Sequence, residues 1–118
     1  MAANPVPVPE LQLVTEKNGD EIIVRGSGRI TASTTQELQT TIRSLIPGAK
    51  RIVLDLSQIN YIDSSGLGAL VSVYLSASKA QCELEMANPK QRIRDLFKLS
   101  KLATVFEGRP EYADWTPE

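Results

Sequence analysis

Residues 51–70 read Arg-Ile-Val-Leu-Asp-Leu-Ser-Gln-Ile-Asn-Tyr-Ile-Asp-Ser-Ser-Gly-Leu-Gly-Ala-Leu. The run Arg51–Leu56 is almost continuously apolar and rich in β-branched residues, as expected of a central strand covered on both faces. Tyr61-Ile62-Asp63-Ser64-Ser65-Gly66-Leu67-Gly68 joins that strand to a helix running from about Ser64 to Lys79. Leu67, Leu70, Val71, Tyr74 and Leu75 recur at helical spacing and predict its buried stripe, while Gly66, Ala69, Ser72, Val73 and Ser76 make its other side small. Asp63 is a natural N-cap whose carboxylate accepts from the N–H of Ser65 or Gly66, which leaves Ser64 in the first turn. Open α/β sheets place their binding sites at the carboxyl ends of such strands, so this junction is the first candidate site.

Upstream, Leu11, Leu13 and Thr15 alternate with polar neighbours, and Ile22 to Val24 follow Asn18-Gly19, a dipeptide suited to the positive φ angles of a tight hairpin. Two antiparallel strands are predicted, over 10–16 and 21–27. Gly26-Ser27-Gly28 lacks the third glycine of a dinucleotide fingerprint and the Gly-Lys-Ser/Thr ending of a P-loop. It reads as a flexible strand end that turns into a helix. Ser33 and Thr34 can each cap that helix, with Gln36 and Glu37 at capping-box spacing and Leu38, Ile42, Leu45 and Ile46 on one face, until Pro47-Gly48 ends it.

Downstream, Cys82, Leu84 and Met86 alternate with Glu83 and Glu85 in a half-exposed strand. Pro89 fits the first position of a helix carrying Ile93, Leu96 and Phe97 inward. The order β-β-α-β-α-β-α predicts a single α/β domain: a mixed sheet of about four or five strands, with helices packed on it. This domain spans 10–118 and follows a flexible, extended Pro-rich tail over 1–9, where alternate residues lack a backbone donor. Residues 107–118 carry only weak signals.

The 118 residues suit one hydrophobic core and are too few for two domains. With 13 basic against 14 acidic residues the net charge of −1 supplies no positive field for nucleic acid or an anionic membrane, so neither is an expected partner. The start Met1-Ala2-Ala3-Asn4-Pro5 lacks the basic and apolar blocks of a secretory signal, and no run is long enough to span a bilayer; the chain reads as cytoplasmic. Cys82 has no second cysteine to pair with and reads as a core thiol.

There is no His, which removes Ser-His-Asp and Cys-His chemistry and the commonest metal ligand, and no Asp-x-Asp-x-Asp spacing builds a carboxylate cage. No catalysis, cofactor or metal is expected. A residual enzymatic reading would make Ser64 a nucleophile with Asp63 or Lys79 as helper, at a spacing known for no serine mechanism.

The segment Asp55–Leu70 resembles the signature of the STAS domain family, which includes the anti-sigma factor antagonists. The likeness extends from about Leu11 to Phe106, through Gly28-Arg29-Ile30-Thr31 and the stretch Ile93–Leu102. It implies that Ser64, the first Ser after Asp63, is phosphorylated by a partner serine kinase that is also the anti-sigma factor. A separate phosphatase reverses the mark, and the unphosphorylated form binds the kinase and so frees the sigma factor. The resemblance places the contact surface on the loop at 28–34, with Arg29, Thr31 and Ser33, and on the start of the second helix, with Asp63, Ser64, Ser65, Gly66 and Ala69.

One departure stands out. Many sigma-regulating members carry Gly-Glu-hydrophobic-Asp where this chain has Gly28-Arg29-Ile30-Thr31, so an acid has become Arg29 and an Asp has become Thr31. That leaves open a different kinase, a stress-signalling scaffold, or a role in secretion or beside a lipid transporter; Thr31 itself reads as a turn cap. The small residues of the second helix either admit a partner closely or pack under a neighbouring helix. Ser65 competes as acceptor but lies one residue deeper in the helix. An alternative assigns Asp63-Ser64-Ser65-Gly66 to capping alone, in a non-switching assembly subunit for which a homodimer is open.

Overall fold

Asn18 and Glu21 face each other across the two-residue turn Gly19-Asp20, where Gly19 at φ +66° supplies the left-handed conformation the tight hairpin needs. In the computed structural model, which describes residues 9–99, this hairpin joins β1 (Leu11–Asn18) to β2 (Glu21–Ile30). There follow α1 (Thr35–Leu45), a 3₁₀ turn (Ile46–Gly48), β3 (Arg51–Ile62), α2 (Ser64–Lys79), β4 (Glu83–Ala87) and α3 (Gln91–Leu99). The sheet has the order β1-β2-β3-β4, antiparallel between β1 and β2 and parallel from there on. This is the expected α/β architecture with a mixed sheet. Of the expected Pro-rich tail only Pro9 is described, and residues 100–118, Val105-Phe106 among them, lie outside the described residues.

Several expectations need correction. β3 is not covered on both faces. Ile52, Leu54 and Leu56 are buried in one core cluster with Leu38, Ile42, Leu70, Val73, Ile93 and Phe97 of the helices, while Arg51, Val53 and Asp55 on the other face are only half-buried. The apolar run contains two charged residues at alternate positions, and the strand period of two collects them on one side. There Arg51 reaches Glu21 at 3.3 Å on β2 and Glu83 at 2.9 Å and Glu85 at 2.6 Å on β4, clamping three strands across their open face. β3 also runs six residues past Leu56, because Ile59 and Ile62 keep the buried face going and pair with Gly28 and Ile30.

Gly26-Ser27-Gly28 is not a strand end but part of β2, which shifts register between Arg25 and Ser27 and again between Gly28 and Arg29. Such bulges bend a strand and need small residues. Gly28 sits at φ +108°, and a Cβ there would lie 2.1 Å from the Glu10 carbonyl oxygen. Thr34 is the N-cap residue of α1 but makes no side-chain cap bond, so the capping-box expectation for Ser33 and Thr34 fails. Pro89 precedes α3 by two residues and does not open it.

The face of α2 is also redrawn. Its buried residues are Gly66, Leu67, Ala69, Leu70, Val73, Tyr74 and Ala77, whereas Leu75, expected inside, is 47% exposed. The small side is a helix–helix contact: α1 lies along α2, and Arg43 of α1 donates to Ser72 Oγ at 2.8 Å. Small side chains let two helix axes approach closely, which decides between the two readings of this stripe in favour of packing within the chain. Ala69→Leu should therefore cost about 1–3 kcal/mol by overpacking, while Leu75→Gln should stay within about 0.5 kcal/mol of wild type. Urea unfolding of the two variants checks this, and the sequence stripe would have ranked them the other way round.

Candidate functional site

The carboxyl end of β3 and the loop after β2 are held together by one side chain. Ile62 pairs with Ile30 as the last rung between the two strands, and the Asp63 N–H donates to the Ile30 carbonyl at 3.2 Å. Asp63 then takes an extended conformation, φ −97° and ψ −176°, so its carboxylate turns back over the first turn of α2. Oδ1 accepts from the Gly66 N–H at 2.8 Å, the cap expected from sequence. Oδ2 accepts from the Ala32 N–H at 3.2 Å in the β2–α1 loop, a bond across 31 residues that sequence does not reveal.

Gly66 completes the junction from below. A Cβ at this position would lie 2.2 Å from the Ile30 carbonyl oxygen and 2.9 Å from Ile62 Cγ2, so only glycine lets α2 start this close to the end of β2. Gly66 and Ala69, both assigned to the partner surface from sequence, are thus buried in the chain's own packing and cannot be touched by a partner.

Ser64 and Ser65 open α2 and are both exposed. The depth argument against Ser65 has no support in burial. What separates the two is that Ser64 lines a groove of about 560 Å³ leading to α3 and Ser65 does not. On the other side of Asp63, the loop is a hydroxyl network. The Thr34 hydroxyl donates to the Arg29 carbonyl at 3.0 Å and accepts from the Thr31 N–H at 2.9 Å, while Thr31 Oγ1 pairs with Ser33 Oγ at 2.9 Å. Ser33 Oγ donates in turn to the Glu10 carboxylate. Thr31 shapes the turn as expected, its carbonyl accepting from the N–H groups of Thr34 and Thr35. Arg29, Thr31, Ser33 and Asp63 therefore lie together, with Glu10 and Tyr61, around a shallow hollow of about 340 Å³.

Tyr61 is the residue that sequence reasoning missed. It is 42% exposed, and the Arg29 guanidinium lies 5.0 Å from its ring centroid, a cation–π contact between cross-strand partners. Tyr and Arg are both enriched among the residues that carry binding energy at protein interfaces. Only the two register shifts in β2 bring Arg29 opposite Tyr61, and neither is legible in the residues.

The arrangement supplies no activated nucleophile. Both Asp63 oxygens are spent on backbone N–H groups, and Lys79 ends the helix that Ser64 begins. Burial first, then the charge of Glu83, pushes the Cys82 thiol up from its ordinary value, the reverse of what an attacking thiolate needs. Among the described residues no helix is long and apolar enough to cross a membrane.

A family model described as STAS domain matches residues 12–114. The anti-sigma-B factor antagonist of Listeria monocytogenes serovar 1/2a is 29% identical over 96 residues, which cover 80% of this chain and 83% of that protein. Among solved structures, the fold is similar to that of the anti-sigma factor antagonist SpoIIAA in its unphosphorylated form, with a TM-score of 0.67 and 18% identity over 79% of this chain and 84% of that one. SpoIIAA in its phosphorylated form gives a TM-score of 0.63. Mglu is similar in fold over 66% of this chain and only 20% of its own length, with a TM-score of 0.61 and 19% identity.

Asp63→Ala should cost about 1 kcal/mol and speed hydrogen exchange at the Gly66 and Ala32 amides together, since one carboxylate protects both. Gly66→Ala should cost more, about 2 kcal/mol or above, because the added Cβ meets the Ile30 backbone carbonyl, which cannot swing aside. Native-state hydrogen exchange and urea melts of both variants test the junction.

Proposed function

The chain belongs to the STAS domain family, and from that premise we propose that it is a partner-binding regulator of the anti-sigma factor antagonist kind, switched by phosphorylation of Ser64. The observation that carries the reading is the setting of Ser64: an exposed hydroxyl in the first turn of α2, beside an Asp63 whose carboxylate is fully committed to holding the junction. A group added there changes the surface and leaves the scaffold standing. The partner is a serine kinase that doubles as the anti-sigma factor. In its site the Ser64 oxygen attacks the γ-phosphorus of ATP, the bond to ADP breaks so that ADP leaves, and the hydroxyl proton passes to a base of the kinase. A phosphatase hydrolyses the ester to restore the hydroxyl. The protein works in the cytoplasm and has no catalytic step of its own.

The contact surface runs from Arg29, Thr31 and Ser33 across Tyr61 and Asp63 to Ser64 and Ser65. Phosphorylation adds about −1.5 to −2 charges next to Asp63. Like-charge juxtaposition in an interface costs several kcal/mol, and about 1.4 kcal/mol is tenfold in affinity, so one phosphate suffices for on/off control. Arg29 stands where many sigma-regulating relatives carry an acid, so the facing patch of the partner carries a carboxylate where theirs would carry a cation.

Incubated with its serine kinase partner and ATP, the protein should gain one phosphate, placed on Ser64 by mass spectrometry. Ser64→Ala should accept none and keep binding the partner, and Ser64→Asp should bind it roughly a hundredfold more weakly by calorimetry. A phosphate on another residue, or regulation unchanged in Ser64→Ala, overturns the reading.

A further inference from the structure

The groove that Ser64 lines is also lined by Arg92 and Leu96 of α3 and by Leu67 of α2. Arg92 is exposed, and among the described residues its guanidinium has neither a hydrogen bond nor an ion pair. Of the other described arginines, Arg25 is committed to Glu16 at 2.8 Å, Arg29 to the Tyr61 ring, Arg43 to Ser72 and Arg51 to three glutamates, while Arg94 of α3 has its Nε buried without a partner and does not line the groove. The acid nearest along α3, Asp95, accepts from Gln91 at 2.8 Å, and Asp63, the acid in the groove, has both oxygens occupied by backbone N–H groups. A cation with no hydrogen bond or ion pair among the described residues thus shares a largely apolar groove with the hydroxyl that phosphorylation would make anionic.

We propose that Arg92 is the receptor for the phosphate on Ser64. The planar guanidinium offers paired N–H donors that match phosphate oxygens, and the apolar walls at Leu67 and Leu96 strengthen the pair relative to one in open water. Pairing ties the first turn of α2 to α3 and roofs the groove, so the phosphorylated protein differs from the unmodified one in the shape of this face as well as its charge. The inference rests on Ser64 as the phosphoacceptor and adds where the phosphate goes.

Phosphoserine installed at position 64 of the full chain during synthesis tests the pairing without any kinase. A phosphoserine loses its second proton near pH 6. A neighbouring cation favours the dianion, so a ³¹P titration should show this ionisation lower than in the Arg92→Gln background by roughly half a pH unit. Arg92→Lys should recover part of the shift, and Lys98→Gln, which removes one charge elsewhere on α3, should titrate like wild type. Equal titration of wild type and Arg92→Gln, or an equal change in Lys98→Gln, overturns the pairing. Because the phosphate is built in, that result leaves Ser64 standing as a kinase target; conversely, a kinase that marks another residue leaves the titration standing.

Discussion

The carbonyl of Ile30 is where the two halves of the chain meet. It accepts the Asp63 N–H, lies against the bare Cα of Gly66, and belongs to the residue that closes the ladder between β2 and β3. Asp63 adds a second tie through Ala32. A helix start is normally a place where backbone donors go begging. Here the cap that satisfies one of them also anchors the β2–α1 loop, so the face formed by Arg29, Ser33, Tyr61 and Ser64 is built on a fixed base. A binding surface whose parts are held in place by backbone bonds loses little freedom when a partner docks.

That fixed base is what would let the proposed switch act locally. The residues behind the site, Gly66, Ala69, Leu70 and Val73, are all buried. In the proposed switch, a charge added at Ser64 would act on what approaches the surface and on side chains that can swing to meet it, with no movement required of the core. The far side of the sheet has its own fastening in Arg51, which draws Glu21, Glu83 and Glu85 together across β2, β3 and β4. Arg51 is itself about one-third exposed, so this network orders the open face more than it stabilises the fold.

The element order, the bounds of α2 and the Asp63 cap were legible in the residues, as was a hairpin through Gly19, though its turn is Gly19-Asp20 and not the expected Asn18-Gly19; each is set by interactions within a few positions of the chain. Turn chemistry, capping and the periods of 2 and 3.6 are local signals. The errors have the opposite character. Leu75 repeats in register with Leu67 and Leu70 but faces solvent, because α1 takes the small side of α2 and turns it inward. Thr34 stands at a cap position yet spends its hydroxyl on Arg29 and Thr31.

By itself, then, the sequence determined the order of strands and helices, where Ser64 falls, and which chemistries a chain without histidine forgoes. Only the tertiary structure decided that Gly66 and Ala69 are interior, that Tyr61 stands beside Arg29, that Ala32 is bound by Asp63, and that α3 brings Arg92 to the Ser64 groove. The reason is physical. Periodicity marks how apolar a helix face is but not which neighbour will cover it, and contacts between residues tens of positions apart depend on strand register and helix docking, which no local pattern encodes.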